Sequence, residues 1–128
     1  MTIKYKIIKT SQPGVKGGGK YSYQARITNR RKVNLVEIAG IISDRCTLRR
    51  SDVTGVLTKL TELIPQLLLE NCGIQLGDLG TFSLHAGSKP SETPEKVNET
   101  KITGLRVAFR PGKMVKKELQ LAKFSRRL

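Results

Sequence analysis

The stretch SDVTGVLTKLTELIPQLLLENCGIQLGDLGTF, residues 51–82, decides how this chain folds. Val53, Val56, Leu57, Leu60, Leu63, Ile64, Leu67 and Leu68 recur at spacings of three and four, which sets them on one face of a long helix. Asp52 lies in the first turn, where a negative charge meets the positive end of the helix dipole, and Thr47 or Ser51 offers a capping oxygen. Pro65 removes one backbone donor, yet the apolar period runs past it, so a kink rather than a stop is expected. Asn71 and Gly73 suit a left-handed helix end. Ile74, Gln75 and Leu76 then alternate like a strand, residues 77–80 make a turn, and residues 81–84 resume the alternation. So apolar a helical face on so short a chain requires a covering surface.

Upstream, residues 34–44 read as a first helix. Asn34 is its N-cap with Glu37 three residues on, and Leu35, Ile38, Ala39, Ile41 and Ile42 form its apolar face. With the long helix it makes a helical hairpin, linked by residues 45–50. Residues 1–32 carry nine Lys/Arg and no acid. Ile3, Tyr5 and Ile7 alternate with Lys4 and Lys6, and Tyr21, Tyr23, Ala25 and Ile27 alternate with Ser22, Gln24 and Arg26. That is a β-hairpin with one apolar and one basic face, too small to stand alone. Its flexible loop, residues 11–20, matches GxxxxGK at residues 14–20. Tyr21 stands where a Ser or Thr would ligate magnesium, and a strand pattern follows where a helix should begin, so a nucleotide loop is not expected.

Downstream, residues 85–101 are polar, with Pro90 and Pro94, and Lys89, Lys96 and Lys101 balanced by Glu92, Glu95 and Glu99. This reads as an exposed loop or mobile ribbon, with His85 solvated. Residues 102–109 form a strand with Leu105, Val107 and Phe109 on one side and Arg106, Ala108 and Arg110 on the other, broken by Pro111-Gly112. Residues 114–124 read as a short helix with Met114, Val115, Leu119 and Ala122 inward and Lys116, Lys117 and Lys123 outward.

The charge balance is the strongest compositional signal: 24 Lys+Arg against 10 Asp+Glu in 128 residues, a formal net charge of +14. Such an imbalance costs self-repulsion and points to a polyanionic partner, nucleic acid before membrane. Cys46 and Cys72 form no CxxC and the chain has one histidine, so a metal site is not expected and both cysteines read as reduced, partly buried thiols. No apolar run is long enough to span a bilayer, and the N-terminus lacks a signal-peptide core. No acid–base pair, activated nucleophile or cofactor motif is visible, so neither an enzyme nor a small-molecule substrate is expected.

The order of elements, with Leu79-Gly80-Thr81-Phe82 joining a strand pair and Phe109-Arg110-Pro111-Gly112-Lys113 leading into a basic helix, resembles the bacterial HU/IHF histone-like proteins from about residue 34 to residue 124. Leu48-Arg49-Arg50-Ser51-Asp52 sits where that family starts its second helix. The resemblance implies an α+β, IHF-like fold: a helical hairpin, a β-saddle with an arm and a short C-terminal helix, intertwined in a homodimer. Residues 1–32 would be a basic β-hairpin extension, like that of a divergent HU-related subgroup, and residues 33–128 the HU-like DNA-binding domain. The dimer core would hold Val56, Leu60, Leu63, Leu67, Phe82 and Phe109.

The implied function is histone-like, largely non-specific binding of double-stranded DNA in the nucleoid of the cytoplasm, by phosphate neutralisation. Arg106, Arg110 and Lys113 are the expected central contacts, with Thr81, Lys116 and Lys117 beside them and Lys89, Lys96 and Lys101 on the arms. The family bends DNA by inserting a proline at each arm tip. Here Pro90 and Pro94 are the candidate wedges, without the family's Arg-Asn-Pro-x-Thr-Gly run, and Asp78 replaces the first glycine of the saddle turn. Backbone binding is therefore the firmer expectation. Two alternatives stay open: RNA binding or ribosome association, for which most of the six aromatics look too committed to packing, and a dimerisation module that has lost DNA bending.

Overall fold

A computed structural model describes residues 2–11, 14, 16 and 19–127. The chain divides into two compact units, one made of residues 1–33 and 118–128, the other of residues 34–117.

In the second unit, α1 (Leu35–Asp44) is capped as its sequence dictates: the Glu37 amide donates to Asn34 Oδ1 at 2.9 Å. Helix α2 (Arg50–Leu69) runs through Pro65 without stopping. Its N-terminus differs from expectation, because Arg49 occupies the cap position with no side-chain cap bond, and neither Thr47 nor Ser51 supplies one. The link is pinned instead by Ser43 Oγ, which donates to the Leu48 carbonyl at 2.8 Å. At the other end Asn71 adopts φ +65° and the Cys72 amide donates to Leu67 O at 3.1 Å, the left-handed closure expected there.

Three strands follow, β1 (Ile74–Gln75), β2 (Gly80–Ser88) and β3 (Ile102–Pro111), antiparallel in the order β1-β2-β3. The second strand reaches Ser88, so of the two readings, loop or ribbon, residues 85–88 take the ribbon, with His85 in the ladder. Ladder hydrogen bonds to an adjacent strand outweigh the weak strand preference of a polar run. The ribbon ends in 3-10 turns at Pro94–Lys96 and Glu99–Lys101, and the Lys89 amide donates to Lys101 O at 2.8 Å across its neck. Helix α3 (Lys113–Leu119) closes the run.

The first unit is a three-stranded sheet built from both ends of the chain. Strands β4 (Ile3–Thr10) and β5 (Ser22–Ile27) pair antiparallel, and β6 (Phe124–Arg126) adds in parallel to the other edge of β4. The expected hairpin is thus present, with its end held by Thr10 Oγ1 and Ser22 Oγ at 2.7 Å. Of the GxxxxGK stretch, Val15, Gly17 and Gly18 lie outside the described residues, and a strand follows it. The expected helix over residues 114–124 is corrected: it ends at Leu119, turns through Leu121 N to Glu118 O at 3.0 Å, and becomes strand. The open edge of β4 explains this, since its unpaired row of backbone groups is satisfied from Ile3 N to Lys123 O at 2.7 Å onward.

Among the described residues the buried hydrophobics are Ala39, Val53, Leu68 and Ile74, all in the second unit. The α2 face stays largely open: Val56 is 65% and Leu63 46% exposed, and with Leu60 they line an open apolar depression of about 760 Å³. Both cysteines are exposed rather than partly buried.

Candidate nucleic-acid interface

Cross-strand register assigns the two faces of the β2–β3 ribbon. Thr81 pairs with Arg110, Ser83 with Ala108 and His85 with Arg106, while Phe82 pairs with Phe109, Leu84 with Val107 and Ala86 with Leu105. Directly opposed residues in an antiparallel pair share a face. One face is therefore polar and basic, the other apolar, with the Phe82 and Phe109 rings 4.9 Å apart between centroids. On the polar face Ser83 Oγ and His85 Nε2 lie 3.2 Å apart, opposite Arg106, and His85 is exposed there.

At the closed end of the ribbon the chain brings several expected contacts together. Thr81, Arg110, Lys113 and Lys116 line one open depression of about 400 Å³, with Gln75 and Asp78. Two glycines make it possible. Gly80 has φ +147°, and a Cβ there would lie 2.3 Å from the Arg110 carbonyl oxygen; at Gly112 one would lie 2.2 Å from the Asp78 carbonyl oxygen. The Gly112 amide donates to Leu79 O at 2.9 Å, so the turn and the start of α3 are held in contact. A side chain at either site would wedge them apart. Arg106 lies farther along the same ribbon face, and Lys117 is exposed on α3 without lining the depression.

The arm contributes less charge than its lysine count implies. Lys96 Nζ lies 3.8 Å from Glu92 Oε2, an exposed pair, and Lys101 is half-buried, leaving Lys89 exposed at the neck. Pro90 sits on the irregular stretch past β2 and Pro94 opens a 3-10 turn; both are exposed. Of the expected dimer-core set, Leu60, Leu67 and Phe82 are half-buried within the single chain and Val56, Leu63 and Phe109 exposed.

The expectation that most aromatics are committed to packing is corrected. Tyr21, Tyr23, Phe109 and Phe124 are all exposed, Tyr23 at 69% and Phe124 at 64%. Among the described residues the first unit has no helix layer of its own to cover its apolar side, and Tyr5, Ala25, Ile27 and Phe124 line an open apolar depression there. Among the described residues no three His, Cys, Asp or Glu side chains are gathered as metal ligands, and no helix is long and apolar enough to cross a membrane.

A family model described as "HU-HIG: HU domain fused to wHTH, Ig, or Glycine-rich motif" matches residues 1–126. In structure the chain is similar to a candidate bacterial DNA-binding protein from Bacteroides vulgatus ATCC 8482, with a TM-score of 0.64 at 9% identity. That likeness covers 98% of this chain and 49% of the other, so the chain spans about half the length of that protein. No curated protein matches the sequence.

Proposed function

The chain belongs to the HU-HIG family, and from that premise we propose that it binds double-stranded DNA, with little sequence preference, by neutralising backbone phosphates. The observation that carries this reading is the convergence of Thr81, Arg110, Lys113 and Lys116 on one open depression, with Arg106 on the same face of the ribbon. Phosphate contacts of this kind position a protein without reading bases. Lys117 on α3 and Lys89, Lys96 and Lys101 on the arm extend the set, the arm cations weakened by their glutamates. Pro90 and Pro94 are exposed and available as minor-groove wedges, which would bend the duplex.

The proposed binding form is a homodimer. Val56, Leu60, Leu63 and Leu67 on α2, together with Phe82 and Phe109, are the surface a second copy would cover, and the thin core of the single chain supports that need. In this reading residues 34–117 hold the DNA-binding saddle and the protein works in the nucleoid as an architectural component.

The test is the salt dependence of duplex binding. Replacing Arg106 and Arg110 by Gln should reduce the log–log slope of affinity against salt by about 1.8, at roughly 0.9 per neutralised phosphate. A slope unchanged by the double substitution would remove the ribbon from the interface. One observation favours a second reading, binding of RNA or single strands: exposed Tyr21, Tyr23 and Phe124 resemble a base-stacking platform. Competition between duplex DNA and structured RNA of equal length decides between the two.

A further inference from the structure

The charge of this protein is not where the saddle is. Residues 1–33 and 118–128 carry twelve Lys/Arg against Glu118 alone, a formal +11, whereas residues 34–117 carry twelve against nine acids, a formal +3. Strand register then sorts the side chains of the smaller unit. Tyr5 pairs with Ile27, Ile7 with Ala25 and Ile3 with Phe124, which gives one largely apolar and aromatic face, with Lys9 opposite Tyr23 and Arg126 opposite Tyr5 at its margins. Lys6 pairs with Arg26 and Lys4 with Ser125 on the opposite face. The amide of Arg127 donates to Tyr5 O at 2.8 Å, one step beyond the Tyr5–Arg126 pair, so Arg127 continues the register beside Lys6.

The result is a row of like charges, Arg26, Lys6 and Arg127, across three adjacent strands, with Lys4 one step along, all exposed. Neighbouring strands lie about 4.8 Å apart, and like charges directly opposed on a sheet are destabilising. No acid sits anywhere on the three strands to offset them. Arg127 is moreover held in place, because its guanidinium donates to Asn29 Oδ1 from the far side of β4. Four aligned cations without a counter-charge form a surface whose repulsion a polyanion relieves.

We infer that this basic face, carrying Lys4, Lys6, Arg26 and Arg127, is a second phosphate-binding surface for the backbone of duplex DNA, separate from the ribbon and contributing a larger share of the electrostatic affinity. The inference rests on the duplex-binding reading above. Its chemistry is backbone neutralisation alone, since the aromatic side chains that could stack on bases lie on the opposite face.

The experiment is a salt titration of the full chain on one linear duplex, comparing the unmodified protein, the Lys4→Gln/Lys6→Gln/Arg26→Gln variant and the Arg106→Gln/Arg110→Gln variant. The triple variant should lose about 2.7 from the log–log slope, more than the pair on the ribbon loses. Should circular dichroism show that the triple variant does not fold, Lys6→Gln alone should lose about 0.9. A slope unchanged in the sheet variant but reduced in the ribbon variant overturns the inference and leaves the duplex-binding reading standing. Failure of the unmodified protein to bind duplex DNA at low salt overturns both. With a single strand of the same length titrated beside the duplex, a loss confined to the single strand overturns it in favour of the aromatic face.

Discussion

The two sheets of this molecule look alike in outline and differ in what they are built to satisfy. Each has three strands and one polar, basic face; the opposite face is apolar in the ribbon, and in the other sheet it sets Lys9 and Arg126 beside its aromatics. In residues 34–117 all four buried hydrophobics lie on or beside that sheet and its two packed helices, and the net charge is only +3. In the sheet made from the chain ends no hydrophobic is buried among the described residues, and the net charge is +11 over 44 residues. Burial has been concentrated in one unit and positive charge in the other. Substitutions in the first should therefore act on folding and association, and substitutions in the second on the salt dependence of binding.

The largest expected effect breaks the comparison at its apolar side. Leu60→Asp places a charge on the α2 face that a second copy is proposed to cover, and an unpaired buried charge costs several kcal/mol. Sedimentation should show loss of the dimer and circular dichroism loss of the fold. Tyr23→Asp, a charge on the aromatic face of the other sheet opposite Lys9, should leave the association state unchanged, because Tyr23 is 69% exposed. A compact, stable monomer of the unmodified protein would sink the assignment of the α2 face.

Next in size is the backbone of the saddle turn. Gly80→Ala forces a side chain into φ +147° and against the Arg110 carbonyl. Strain of this kind costs about 2 kcal/mol, which should lower Tm by roughly 10 °C in a unit of this size. Gly104 has a conventional φ and open space around a Cβ, so Gly104→Ala should leave Tm nearly unchanged. Below that stands Asn34→Ala, which removes the α1 cap and should cost about 1 kcal/mol by denaturant titration.

How much of this was legible follows from range. The period of residues 53–68, the Asn34 cap, the left-handed Asn71 and the alternation of residues 3–7 and 21–27 are local signals, and the chain obeys them. The register that opposes Arg106 with His85 extends the ribbon past where composition alone would stop it. The pairing of Phe124 with Ile3 joins residues 121 positions apart, and nothing near Phe124 announces it. A Lys-rich run after a Leu/Val pattern reads as helix until an open strand edge competes for the same backbone. The basic row depends on that long-range pairing too: Lys6 and Arg26 were visible on one hairpin face, but Arg127 joins them only once β6 is in place. The aromatic exposure was missed for the same reason, since alternation shows which residues share a face and not whether anything covers it.

The smallest predicted effect sharpens the comparison from its polar side. Asp78 shares the depression with Thr81, Arg110, Lys113 and Lys116, so a carboxylate stands among the cations proposed to meet phosphates. Its carbonyl oxygen is packed against Gly112, which fixes the backbone whatever the side chain carries. Asp78→Asn keeps the shape and removes the charge. Exposed charge interactions are worth up to about 1 kcal/mol, so duplex affinity at low salt should rise by up to about fivefold, and the gain should shrink as salt screens it. Glu118→Gln removes the acid of the +11 unit and should give a smaller gain, because there one negative charge is already outnumbered twelve to one. Equal gains from the two substitutions would mean that DNA responds to net charge alone, and the saddle turn would then have no special place in the interface.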